Sequence, residues 1–302
     1  MLRGPQPAGS GSPDVTVSST HLPAESLRGR TALITGAAQG IGLAIAQRLA
    51  SAGADLILVD VAEQELQRAA TQLRSHGASV LAQVMDIADR ASAQALQVEL
   101  AEASSGVDIL INNAAIGPER NDPAYLVAKP KFWSTPDALW LEMLRVNVFG
   151  AQLLSTLFAP DMVRRGWGRI INVSTSLDTM YRQGIGPYGP CKAALEASSR
   201  IMFQDLDGTG VTVNVLLPGG PVNSRMVPAE CGIDPEDLIQ PEKLAEPVLW
   251  LCSNEADDVT GLRLVARHWD LRLSTRERLT AATAPIAWPQ LGAQSHIPTA
   301  KD

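Results

Sequence analysis

Tyr188 and Lys192, four residues apart in Tyr-Gly-Pro-Cys-Lys-Ala-Ala-Leu, have the types and spacing that suit proton transfer. On a helix this spacing puts both side chains on one face, about a turn apart. The lysine charge favours the tyrosinate, lowering the phenol pKa toward the range useful for acid/base work, and the same ammonium can hold a ribose. Upstream, Ser174, Thr175 and Ser176 supply hydroxyls that can grip a carbonyl or alcohol oxygen and align it for Tyr188. Serine hydrolysis is disfavoured, because no His/acid pair accompanies these hydroxyls.

A second constellation is glycine-rich. Gly36, Gln39, Gly40, Ile41 and Gly42 lie in Thr-Gly-Ala-Ala-Gln-Gly-Ile-Gly, between a buried apolar run and a helix-like segment. A chain turning over a pyrophosphate needs backbone freedom and unobstructed N–H groups at a helix N-terminus. Asp60 follows 24 residues after Gly36, with no Arg or Lys immediately beyond it. A carboxylate there can accept from both ribose hydroxyls of NAD and would repel the 2'-phosphate of NADP, so the expected cofactor is NAD. Asp86, followed by Ile87, can bond an adenine edge; Asn113 can brace the adjoining loops, while Ala114 permits close cofactor approach.

These residues need a frame that brings them to one edge. Thr31–Ile34, Leu56–Val59, Val80–Val84, Asp108–Ile111, Arg169–Val173, Val211–Leu216 and Leu262–Val265 read as strands. Helix-like segments over about 41–51, 62–75, 90–104, 137–163 and 188–206 separate them. The strands are apolar nearly throughout, as in a parallel sheet covered on both faces, so the expected fold class is α/β: a doubly wound, mostly parallel sheet in a Rossmann-like three-layer domain. Segments 117–136 and 219–242 leave strand ends and read as substrate walls and lid. The domain expected is 29–270, between a disordered leader, 1–28, and a C-terminal extension, 271–302, packed on a neighbouring subunit.

The formal charge of -7 and the lack of a basic stripe argue against nucleic acid or a membrane as partner. Cys191, Cys231 and Cys252 and the four histidines have no metal-ligand spacing, so no metal is expected, and a reducing, cytoplasmic setting fits. Neither a signal-peptide core nor a membrane span is visible in the sequence.

Taken together, the chain resembles the classical short-chain dehydrogenase/reductase family over roughly residues 29–266. The motifs are Thr35 to Gly42, Asn112-Asn113-Ala114-Ala115, Asn147, the hydroxyl-bearing strand end, Tyr188 to Lys192, and Pro218-Gly219. The resemblance implies hydride transfer between a nicotinamide and an alcohol or ketone. Tyr188 would be the acid/base, Lys192 would depress its pKa and bind ribose, and Asn147 would hold a relay water at a helix irregularity. It further implies a homotetramer or homodimer.

Three departures stand out. Thr175 occupies the position, 13 residues before Tyr188, where the family has serine, with Ser176 the next choice for the contact. Ala115 replaces a common glycine, and Gly220-Pro221-Val222-Asn223-Ser224 replaces a turn leading to a threonine, leaving Ser224 for the nicotinamide carboxamide. The leading expectation is an NAD-preferring alcohol dehydrogenase or ketone reductase for an uncharged small molecule. The alternatives are a 3-oxoacyl-thioester reductase using NADPH and a non-catalytic nucleotide sensor.

Overall fold

The computed structural model describes residues 25–103 and 106–289. Most of the expected leader, and the extension beyond 289, lie outside these residues. Eight strands form one sheet in the order β3-β2-β1-β4-β5-β6-β7-β8, all parallel except β8, which runs antiparallel to β7. In chain order the elements are β1 (Thr31–Thr35), α1 (Gly40–Ser51), β2 (Asp55–Asp60), α2 (Glu63–Ser75), β3 (Val80–Val84), α3 (Arg90–Glu102) and β4 (Ile109–Asn112). They continue with α4 (Tyr125–Ala128), α5 (Asp137–Leu144), α6 (Ala151–Arg165), β5 (Gly168–Val173), α7 (Leu177–Met180), α8 (Tyr188–Asp205), β6 (Val211–Leu217), α9 (Ala245–Cys252), β7 (Leu262–Val265), α10 (Thr275–Ala282) and β8 (Thr283–Pro285). This is the Rossmann-like three-layer arrangement expected from the strand pattern.

Alternation along each strand sends neighbouring side chains to opposite faces. Ile34, Leu58 and Ile111 pack on one side with Ile45, Leu49, Leu66 and Val248 from α1, α2 and α9. Leu33, Ile57 and Leu110 pack on the other with Leu96, Leu154 and Met202 from α3, α6 and α8. A buried polar line crosses this second layer. Asn112 Nδ2 donates to Asn172 Oδ1 (2.8 Å) and to Ser155 Oγ (3.1 Å), and Asn172 Nδ2 donates to Ser199 Oγ (2.8 Å). These bonds tie β4 and β5 to α6 and α8 in a single register, since a one-residue slip would strand buried amides.

Two stretches differ from the sequence reading. The helix expected over 137–163 is α5 and α6 joined by a π-helical turn, Arg145–Gly150, which puts Asn147 at a helix irregularity, as the family resemblance implied. Beyond Asp270, within the expected extension, the chain keeps regular structure. Ser274 and Glu277 make a capping box that starts α10, and β8 then pairs with β7. Trp269 is 1% exposed and packs tilted against Trp250 at 5.2 Å between ring centroids, so it is part of the core. Cys191, Cys231 and Cys252 are free thiols, all buried. Among the described residues no helix is long and apolar enough to cross a membrane.

Candidate active site

The glycine segment leaves β1 and enters α1 under tight packing. Gly36 has φ +64°, and a Cβ there would come within 2.9 Å of Ala114 Cα and of the Asn113 amide. Asn113 Nδ2 donates to the carbonyls of Thr35 (2.9 Å) and Gly36 (3.1 Å), so it braces the turn from the end of β4. Gly40, also at positive φ (+56°), would present its Cβ only to Ser224, at 3.7 Å, so the lid loop after β6 comes down over the N-terminus of α1. Gln39 makes no capping bond and the first turn of α1, with Ile41 and Gly42, holds no acidic side chain. Such an end presents unshielded N–H groups to an anion, which fits the pyrophosphate of a dinucleotide. Beyond β6, Gly219 (φ +93°) lies against Arg267 and Val265, and Pro218 accepts a bond from the Arg267 amide (3.1 Å).

The acidic residues are more engaged than expected. Asp60 accepts from the Ala38 amide through Oδ2 and the Ala62 amide through Oδ1, both at 3.0 Å, so it clasps the glycine turn to the end of β2. Asp86 accepts from Ala88 (2.9 Å) and pairs with Arg145 at 2.7 Å, while Ile87 is buried against Gly150.

Tyr188 opens α8 and Lys192 follows one turn later. Tyr188 is 8% exposed, in a small apolar cluster with Tyr125, Leu139, Met143, Ile185 and Cys231; Ile116 and Met226 pack at its margin. Its hydroxyl has no partner among the described residues. Lys192 Nζ donates to the Val173 carbonyl at the end of β5 (2.8 Å) and sits 5.7 Å from the Tyr188 ring centroid. The expected depression of the Tyr188 pKa is not seen. Burial pushes the phenol upward, with Tyr125 and Glu119 adding to the effect, and burial brings Lys192 down to about 8. Desolvation outweighs attraction here because the ammonium points at a carbonyl.

The three hydroxyls at the strand end are not equivalent. Ser174 Oγ donates to the Lys192 carbonyl (3.3 Å), and Ser176 caps α7 by accepting from the Thr179 amide (3.3 Å). Thr175 is half-buried and its hydroxyl has no partner among the described residues. Asn147, 1% exposed, clamps Ile116: Oδ1 accepts from the Ile116 amide (2.7 Å) and Nδ2 donates to its carbonyl (2.8 Å). Tyr181 is exposed and donates to Asp178 (2.6 Å), away from this cluster.

The sequence reading missed Tyr125, Glu119 and Cys231, which sit in or beside the Tyr188 cluster. Segments 117–136 and 219–242 were read as substrate walls and lid, with no helix assigned in them. The short run Tyr125-Leu126-Val127 after an Asp-Pro turn was the signal for α4.

Comparison with known proteins agrees with this geometry. The family model described as short chain dehydrogenase matches residues 30–230. Galactitol 2-dehydrogenase (L-tagatose-forming) of Cereibacter sphaeroides is 34% identical, over 78% of this chain and 92% of its own. A gluconate 5-dehydrogenase from Burkholderia cenocepacia, solved with NADP and tartrate, superposes with a TM-score of 0.70 at 29% identity, covering 80% of this chain and 95% of its own. An NAD(P)-dependent gluconate 5-dehydrogenase from Beutenbergia cavernae, with NADP bound at low occupancy, gives a TM-score of 0.68 at 31% identity, covering 81% and 97%.

These neighbours correct the expectation of NAD, since both nucleotides bound in them are NADP. The inference from Asp60 treated its carboxylate as a free acceptor for ribose. Two backbone amides already use it, and N–H dipoles on both oxygens temper its repulsion of a phosphate. On the cofactor, the NADPH-linked alternative gains over the NAD-linked reading. With the glycine turn, the Tyr188–Lys192 helix and the matched family model in one molecule, the chain belongs to the classical short-chain dehydrogenase/reductase family and is an NAD(P)-dependent oxidoreductase acting on an alcohol or ketone.

Proposed function

We propose that the protein interconverts a secondary alcohol and its ketone using NADP(H), with Tyr188 as the acid/base. The observation that carries this reading is that Tyr188 and Thr175 keep uncommitted hydroxyls while Ser174 and Ser176 are used by the fold. Thr175 holds the substrate oxygen and Tyr188 delivers or takes its proton. When bound, the nicotinamide supplies or accepts hydride at C4. Lys192 bonds the ribose and, on turning from Val173, brings its charge toward Tyr188. Gly36, Gly40 and Gly42 admit the pyrophosphate to the N-terminus of α1. Asp60 and Asn113 hold that turn closed, and Pro218, Gly219 and Ser224 form the opposite wall. Asn147 fixes the loop after β4 through Ile116.

The test is consumption of reduced nicotinamide with a ketone panel, NADPH against NADH. Tyr188→Phe is expected to lower turnover by about a hundredfold or more, the usual worth of a positioned acid/base, while NADPH affinity changes little. Retained turnover in that variant would remove Tyr188 from the chemistry.

The assembly that fits this reading is a homotetramer. Leu141 and Leu144 on α5, Phe149 in the π turn and Ile201 on α8 are large apolar side chains left exposed on one side of the sheet. Light scattering checks the mass, and a monomer would overturn this part.

A further inference from the structure

One polar atom near Tyr188 has no structural explanation. Glu119 Oε2 is enclosed by protein and has no hydrogen-bond partner. The side chain folds back over Gly117, where an added Cβ would meet both this oxygen and Met226, whose Sδ would lie 2.8 Å away. Glu119 therefore stands where the loop after β4 meets the lid loop after β6. The Glu119 and Gly117 amides favour the half-buried carboxylate, but its enclosed Oε2 still lacks a hydrogen bond of its own, a place that a ligand hydroxyl can fill.

Tyr125 is the second part. It is 5% exposed, belongs to the same buried cluster as Tyr188, and its hydroxyl is also without a partner among the described residues. The Glu119 charge reaches both phenols, raising each, and burial holds the Glu119 carboxyl itself above its usual range. Uncommitted polar ends from the turn after β4, from α4 and from α8 thus border one otherwise apolar cluster, with Met226 packed between that turn and the cluster.

We propose that Glu119 and Tyr125 form a hydroxyl-binding subsite beside the reacting carbon, so that the substrates are hydroxy ketones and the corresponding polyols. A carboxyl and a phenol can together accept from and donate to one hydroxyl. This rests on the reading of Tyr188 as acid/base. A substrate lacking the hydroxyl leaves both groups without that partner, and the penalty gives the discrimination.

The experiment measures kcat/KM with NADPH for two matched pairs, hydroxyacetone against acetone and acetoin against butanone. The full-length wild type is compared with Glu119→Leu, Glu119→Gln and Tyr125→Phe, and NADPH fluorescence titration verifies that each variant is folded. The wild type is expected to favour the hydroxylated member by about tenfold to a hundredfold. Glu119→Leu and Tyr125→Phe bring the ratio toward one, chiefly through KM, whereas Glu119→Gln keeps much of it. A wild-type ratio near one, or a ratio that neither Glu119→Leu nor Tyr125→Phe moves, overturns the subsite and leaves ketone reduction standing. Failure of the wild type to reduce any of the four compounds overturns the proposed ketone reductase, and the subsite with it.

Discussion

The side chains around Tyr188 separate into those the fold uses and those it leaves free, and substitutions should divide them the same way. Thr175→Ala is expected to lower kcat/KM by about tenfold to a hundredfold through loss of one oriented hydroxyl. Ser176→Ala removes the cap of α7 instead, at about 1 kcal/mol, and shows in thermal unfolding before it shows in turnover. Ser176 exceeding Thr175 in its effect on kcat/KM would reverse the assignment. Lys192 sets a pH dependence of the opposite sense to a carboxylate's. Burial brings its pKa down to about 8, so the ammonium is charged below that value and neutral above it. If the charged form binds ribose, the dissociation constant for NADPH stays flat below pH 8 and weakens by up to about tenfold per pH unit above it. Titrations of wild type and Lys192→Met across this range check it, and the variant should show no such break. At this scale the candidate glycines, Tyr188 and Lys192 were legible because their placement depends on spacing along a short stretch of chain. What Asp60, Asp86 and Asn147 bond was not, since Arg145 and Ile116 reach them only through the fold.

Among the elements, the seven parallel strands could be read from their apolar runs because a strand covered on both faces has no polar alternation to confuse with a helix. The π turn at Arg145–Gly150 leaves no such mark in the period, since its residues fit a helix; the irregularity at Asn147 was implied only by the family resemblance. The segment after Asp270 was obscured by its arginines. Arg278, 4% exposed, lies over the Trp269 ring at 5.0 Å, so a charged residue that reads as surface is part of a core. The Ser274-x-x-Glu277 capping box was the available signal for α10. Trp269→Ala is expected to cost about 3–5 kcal/mol in urea unfolding, as removal of a large buried aromatic does. A loss under about 1 kcal/mol would mean that the packing against Trp250 contributes little.

Across the whole molecule, the sheet order runs outward from β1 and β4, and the glycine turn after β1 and the loop after β4 leave from adjacent strands. Between these neighbours the crevice opens that doubly wound sheets use for ligands. The lid loop after β6 closes over it at Ser224, near Gly40. The three buried thiols are distributed through this architecture at different depths. Cys231 lies on the lid segment with its Sγ 3.2 Å from the Pro123 carbonyl, Cys191 lies on α8 beside Tyr188, and Cys252 closes α9 inside the main core. They amount to a clock for motion. A thiol-alkylating reagent should mark Cys231 on the time scale of lid opening, Cys191 when α8 loosens, and Cys252 only on global unfolding. Saturating NADPH should slow the first of these rates most.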